Sequence, residues 1–199
     1  MEDKNSVLEF WFGSDADDMV TAGTQSRLWW SKDESIDADI KKRFASWSDA
    51  AISGKLKDWQ GDAAGQLALI ILCDQFPRNM YRNTPQAFAF DAAAREFCKA
   101  GLASGLDQQL RPIQRVFFYL PLEHSESLAD QDRAVALYEA LRTAVSTGQG
   151  ETFEGFYRFA IKHREVIQRF GRFPHRNSIL GRQSTAEELQ FLSGPGSSF

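Results

Sequence analysis

Apolar side chains recur every three or four residues along most of the chain, and the strict alternation of a half-buried strand is nearly absent. From about Glu34 to Ser53 the stripe is Ile36, Ile40, Phe44, Trp47 and Ala51, and Gly54 follows as a C-terminal stop. Leu67 to Phe76 is apolar on almost every side, which predicts a central buried helix, with Pro77 behind it as a breaker. Ser6-Val7-Leu8-Glu9 has the form of a capping box and opens a short aromatic helix that Gly13 stops. Thr84-Pro85 reads as an N-cap and first-turn proline for an Ala-rich helix running to about Ala103. Pro112 opens another, with Ile113, Val116, Phe117 and Leu120 on its apolar side. Ser127 caps the next, whose face is Leu128, Gln131, Val135, Tyr138 and Leu141. From about Thr152 to Phe170 the stripe is Phe153, Phe156, Ala160, His163, Ile167 and Phe170, and Thr185 caps a last short helix. The expectation is an all-α fold of about nine helices packed as antiparallel helical hairpins. No Pro/Ser-rich linker divides the chain, so residues 1–193 read as a single helical domain and residues 194–199 as a flexible tail.

This pattern excludes several functions. Without strands there is no glycine-rich strand–helix turn for a dinucleotide or a P-loop phosphate, and no cofactor is expected. No G-x-S-x-G elbow, H-E-x-x-H pair or C-x-x-C occurs. The longest apolar run is far short of the ~20 residues that span a membrane. The first residues lack the basic-then-apolar form of a secretory signal. Cys73 and Cys98 both sit in apolar stretches and read as reduced core thiols, so a cytoplasmic location is expected. A net charge of −4 argues against nucleic acid as a partner.

Charge is unevenly spread. Residues 1–66 hold 8 basic and 13 acidic side chains, whereas from residue 67 onward there are 13 Arg and only two Lys. Arginine's planar fork suits bidentate contacts to carboxylate or phosphate, and plain solubility does not call for it. Three polar stretches interrupt the helical pattern. They are Asp74-Gln75-Phe76-Pro77-Arg78-Asn79-Met80-Tyr81-Arg82, Leu122-Glu123-His124-Ser125-Glu126, and Arg169-Phe170-Gly171-Arg172-Phe173-Pro174-His175-Arg176-Asn177. The first and third share Phe-Pro-Arg-Asn against Phe-Pro-His-Arg-Asn. One reading makes them elaborate helix stops, with Arg and Asn donating to exposed carbonyls. The other makes them a site, with Asp74, Arg78, Asn79, Arg82, Glu126, Arg172, Arg176 and Asn177 binding an anion. In that reading Glu123, His124 and His175 are acid/base candidates. Three acids within these motifs (Asp74, Glu123, Glu126) against four arginines leave a local positive surplus.

Asp74 falls on the buried stripe and needs a partner, either Arg78 four residues on or an arginine of the C-terminal cluster. His163 lies between Ala160 and Ile167 on an apolar stripe and reads as a core histidine bonded to a carbonyl or carboxylate. The pairs His124/Glu126 and His163/Glu165 are two apart, which on a helix points them roughly 200° apart, so no metal site is expected.

The motifs DQFPRN, EHSE and FGRFPHRN, with VLEFWFG near the start and LGRQST followed by EELQFL near the end, resemble the bacterial family known as domain of unknown function 924. The resemblance covers essentially the whole chain. It implies a tetratricopeptide-like helical fold and no established activity or catalytic residues. Two functions remain in view. One is a binding domain whose Arg-rich pocket receives an anionic small molecule or an acidic peptide. The other is a cofactor-free hydrolase or transferase for an anionic substrate.

Overall fold

The computed structural model describes residues 2–197, which form ten α-helices with short 3-10 and π turns and no strand. They are α1 (Lys4–Phe12), α2 (Asp18–Trp30), α3 (Glu34–Ile52), α4 (Ala63–Ile70), α5 (Phe76–Met80), α6 (Asp91–Ala103), α7 (Pro112–Glu123), α8 (Leu128–Ala144), α9 (Gly150–Phe170) and α10 (Ala186–Leu192). A π turn, Ile71–Gln75, joins α4 to α5 without a break, so the rods number nine. The chain sorts into two compact units, residues 1–82 with 86–121 and residues 83–85 with 122–199. The second division falls between Pro121 and Leu122, inside α7, where no change of composition marks it.

Unit 1 is built around the rod α4–α5. Every residue from Leu67 to Asp74 is fully buried, as is Phe76. Phe76 stacks on Phe44 of α3 at 4.7 Å and meets Trp11 of α1 edge-on at 5.6 Å, and Trp11 meets Phe117 of α7 at 5.5 Å. The Trp29 indole donates to the Trp11 carbonyl at 2.8 Å, which fastens α2 to α1. Such edge-on and offset pairs add about 0.5–1.5 kcal/mol each beyond the area they bury.

The sequence leaves α2 unannounced, because polar residues interrupt its apolar side and only Asp18, Thr21, Leu28 and Trp29 are buried. At α1 the N-cap is Asp3, whose carboxylate accepts from the Ser6 N–H while the Ser6 hydroxyl accepts from the Asp3 N–H. The helix therefore starts earlier than a Ser6 cap predicts. Pro77 is not the breaker expected of it. The π turn shifts the register so that the Phe76 N–H reaches the Ile71 carbonyl, and Pro77 occupies the first turn of α5, where its missing N–H costs little. Pro85 opens only a 3-10 turn, Pro85–Phe88, and α6 starts at Asp91.

In unit 2, α8 and α9 form a hairpin closed by the 3-10 turn Thr147–Gln149. Its packed face includes Gln131, Ala134, Tyr138 and Leu141 from α8 and Phe153, Ala160, His163, Val166 and Ile167 from α9. Gly171, at φ 68°, stops α9 in the left-handed region that glycine adopts without strain. Thr185 and Glu188 make the capping box of α10. Of the tail expected at 194–199, residues 198 and 199 lie outside the described residues, and the Ser197 hydroxyl donates to the Leu192 carbonyl at 3.1 Å.

Candidate functional site

In unit 1 the first Phe-Pro stretch closes on carboxylates. Arg78 donates through both terminal nitrogens to Asp91 at 3.0 and 3.1 Å, and one of them also sits 3.2 Å from the buried Asp74 carboxylate. The Phe88 ring lies 5.7 Å from the same guanidinium. Arg82 grips Asp37 with two nitrogens, and the Asn79 amide donates to that same carboxylate at 2.9 Å. Arg78 thus joins Asp74 to Asp91 of α6, and Asn79 and Arg82 share Asp37 of α3.

The third stretch repeats this device in unit 2. Arg172 binds both oxygens of Glu188 at 2.6 and 2.8 Å, the Asn177 amide approaches the same carboxylate at 3.3 Å, and the Thr185 N–H reaches it at 2.7 Å. These donors hold the Glu188 carboxyl down at about 2, well below the ordinary range, with Arg172 the largest cause. Glu126 is clasped by Arg182 at 2.7 and 2.9 Å and by the Phe173 N–H at 2.8 Å. Burial works against its charge, yet these donors outweigh it and leave its carboxyl below the usual range.

The positive surplus expected of the four arginines is therefore not met. Arg78, Arg82 and Arg172 each hold a carboxylate, and the acids that balance them (Asp91, Asp37 and Glu188) lie outside the three motifs. Only Glu188 carried a signal in the sequence, as the acid of a capping box. Arg182 was likewise missed as a partner of Glu126.

The remaining candidates gather deeper in unit 2. His163 Nδ1 lies 3.0 Å from Glu123 Oε1 and 2.9 Å from the Phe159 carbonyl, so it bears the proton and donates to both. Both side chains are almost wholly buried. Burial, then neighbouring His124, and further the charges of Arg176 and His175 push His163 down to about 3, and it stays neutral near pH 7. The pair is thus a hydrogen bond between a neutral imidazole and a carboxylate, despite its ion-pair spacing.

Around it stand the other two histidines. The His124 ring is 6.2 Å from that of His163, Phe173 meets His163 edge-on at 5.6 Å, and His175 lies 5.6 Å from Phe173. The Arg176 guanidinium covers Phe173 at 4.5 Å. His124 and His175 are half-buried, and Arg176 and Phe173 are buried. Gln131, fully buried on α8, donates to the carbonyls of Glu123 and Ser125 and so fixes the backbone on either side of His124. Chemically this is a set of imidazole and guanidinium donors over a buried carboxylate–imidazole pair. Among the described residues no group of three or more His, Cys, Asp or Glu could hold a metal ion.

Fold and site together define an all-α protein whose Phe-Pro loops close on carboxylates and whose histidines converge in one unit. The chain belongs to a bacterial family: the family model described as bacterial protein of unknown function (DUF924) matches residues 7–196. It is similar to the solved structure of ATU0120, a protein of unknown function from Agrobacterium tumefaciens, with 36% identity, 96% of each chain covered and a TM-score of 0.81. No curated protein matches the chain.

Proposed function

We propose that this protein binds a small anionic molecule in unit 2, with His124, His175 and Arg176 as donors and the Glu123–His163 pair as a preset polar floor. One observation carries the reading. The three histidines of the chain, far apart in sequence, gather with Arg176 near Phe173: His163, His175 and Arg176 each meet its ring, and His124 lies 6.2 Å from His163. A packing role alone does not call for that, since an aromatic core is served by Phe or Tyr without the desolvation of imidazole and guanidinium. Half-burial of His124 and His175 suits groups that must meet both solvent and ligand. Two buried, unbridged cysteines support a cytoplasmic location.

A thermal-shift screen tests this, with phosphate esters, dicarboxylates and short acidic peptides as separate arms. A ligand at 100 times its dissociation constant adds about 2.7 kcal/mol of stability. Arg176→Lys keeps the charge and loses the fork, so it should weaken the effective ligand. A screen with no stabilising anion, or a full response in Arg176→Lys and His124→Gln alike, would sink the reading.

A second reading, a cofactor-free hydrolase or transferase, takes Glu123, His124 and His175 as its acid/base groups, and the gathering of His124 beside the Glu123–His163 pair favours it. Turnover of a stabilising ligand by the wild type, abolished in Glu123→Gln with binding intact, would favour it over simple binding.

A further inference from the structure

We infer that the groove between α9 and the chain following α10 is a second small-molecule site, and that its occupant is a free aromatic α-amino acid. It shares no residue with the histidine cluster, so either reading can fail without the other. The groove lies within unit 2 and has a volume of about 360 Å³, in the range of small-ligand pockets. Its apolar lining is Val166, Phe170 and Phe191. The two rings stand 5.1 Å apart and pack on the buried cluster of Val166, Ile167 and Phe173. Pro195 and Gly196 complete the lining from the side of α10. That wall is tied down by its own chain. The Gly194 N–H donates to the Phe191 carbonyl at 3.1 Å, the Ser197 hydroxyl donates to the Leu192 carbonyl at 3.1 Å, and Gly196 turns at φ 71°.

Charged residues of α9 border this lining, and one of them is already matched. The Arg169 guanidinium lies 4.7 Å from the centre of the Phe170 ring and pairs with Glu187 at 2.8 Å. Lys162 and Glu165 are both exposed, and among the described residues neither forms an ion pair, with the other or elsewhere. On the same helix Arg158 does close on Glu154, at 2.9 Å. The Lys162 ammonium instead leans back over the Phe159 ring at 5.4 Å, toward the start of the helix and away from Glu165. The groove therefore offers one unpaired ammonium and one unpaired carboxylate beside an aromatic lining. Positions three apart on a helix have Cβ atoms about 5–6 Å apart, so both groups reach a ligand lying across that turn. A simple acid would meet Lys162 but be opposed by Glu165, and a simple amine the reverse. A molecule carrying an ammonium and a carboxylate on one carbon answers both, and its side chain then falls on the apolar lining. An aromatic ring suits that lining best, because the Phe191 ring and the flat Arg169 guanidinium both favour a π-face.

The test is a proton–nitrogen NMR titration of the full chain, which locates binding as well as measuring it. L-phenylalanine is the probe, and three analogues each lack one feature: 3-phenylpropionate the ammonium, 2-phenylethylamine the carboxylate and L-leucine the ring. Phenylalanine should shift the amides of Glu165, Val166, Phe191 and Gly196 and bind more tightly than any analogue. Each exposed charge contact should change affinity about twofold to fivefold. Glu165→Gln should therefore weaken phenylalanine by that factor and leave 3-phenylpropionate no weaker. Lys162→Gln should weaken phenylalanine likewise and spare 2-phenylethylamine. Both positions are exposed on a helix surface, so neither variant threatens folding. Shifts confined to residues outside the groove, or none up to the solubility limit of phenylalanine, overturn the inference. So does an analogue that binds there as tightly as phenylalanine, or phenylalanine binding unchanged in both variants.

Discussion

The same substitution, glycine to alanine, should act in opposite directions at two helical positions. Gly65 lies in the first turn of α4, where a Cβ would meet the Trp59 carbonyl oxygen at 2.0 Å and that residue's carbonyl carbon and Cα at 2.8 and 2.9 Å. Carbon atoms pack at about 3.5–4.0 Å, so the two backbones must separate by more than 1 Å. Neither yields readily. Trp59 is stacked on Trp47 at 5.5 Å, and the Gly65 N–H is tied to the Asp62 carboxylate at 2.8 Å. Overpacking of this kind costs roughly 1–3 kcal/mol, and here the obstacle is main chain, which puts the cost at the upper end. Alanine's helical advantage over glycine, at most about 1 kcal/mol, offsets only part of it. Gly65→Ala should therefore destabilise by about 2 kcal/mol. Gly23, exposed in the middle of α2, has nothing within 4 Å of its built Cβ and a backbone that alanine accepts. Gly23→Ala should stabilise by about 0.5–1 kcal/mol. Urea unfolding with linear extrapolation reads both, and the slope should stay unchanged. A Gly65→Ala midpoint at or above that of the wild type would show that the α4 entry is not closed against Trp59.

Ile70→Ala, at the fully buried centre of the α4–α5 rod, should cost about 2–5 kcal/mol in the same assay, and a loss below about 1 kcal/mol would mean the rod is peripheral. His163 is held below its ordinary value, so its contribution is fully present above about pH 6.5 and is lost as the pH falls toward about 3. Stability should decline through that window by up to about 1.4 kcal/mol per pH unit, and His163→Phe should flatten the decline; an unchanged slope would remove His163 as its cause. Cys73, pushed up to about 12 by burial, and Cys98, equally buried, should both resist a thiol reagent until the chain unfolds, and reaction of either in the native protein would contradict their placement.

The parts of the fold legible in the sequence are those set by local chemistry. The face Ile40, Phe44 and Ala51, the stops at Gly13, Gly54 and Gly171, and the Thr185 box all depend on residues within one or two turns of each other. The π turn at Ile71–Gln75 was hidden, since a register shift of one residue leaves no mark in a segment that is apolar all round. The same holds for α2, whose sparse apolar residues find their partners on α1 and α7. At the site, the core role of His163 and the need of Asp74 for a partner followed from spacing on a buried stripe, and Arg78 was one of the two partners in view. The partners Asp37, Asp91 and Glu188 did not, because an acid on a helix surface looks the same whether solvent or a distant arginine faces it.

The two Phe-Pro stretches separate what locks the fold from what is left for function. In each, an asparagine and an arginine converge on one carboxylate of another helix: Asn79 and Arg82 on Asp37, Asn177 and Arg172 on Glu188. That arrangement ties down a chain leaving a helix, and it accounts for the residues the two stretches share. The arginine beside the asparagine then behaves differently in the two cases. Arg78 bridges Asp74 and Asp91, and Arg176 lies over the ring of Phe173. The third stretch also has one residue more than the first, His175 between proline and arginine, and that insertion brings an imidazole beside the same ring. A loop needed only as a lock would have no use for the extra histidine. The departure of the third stretch from the first therefore falls on His175 and Arg176, two side chains that both meet the ring of Phe173.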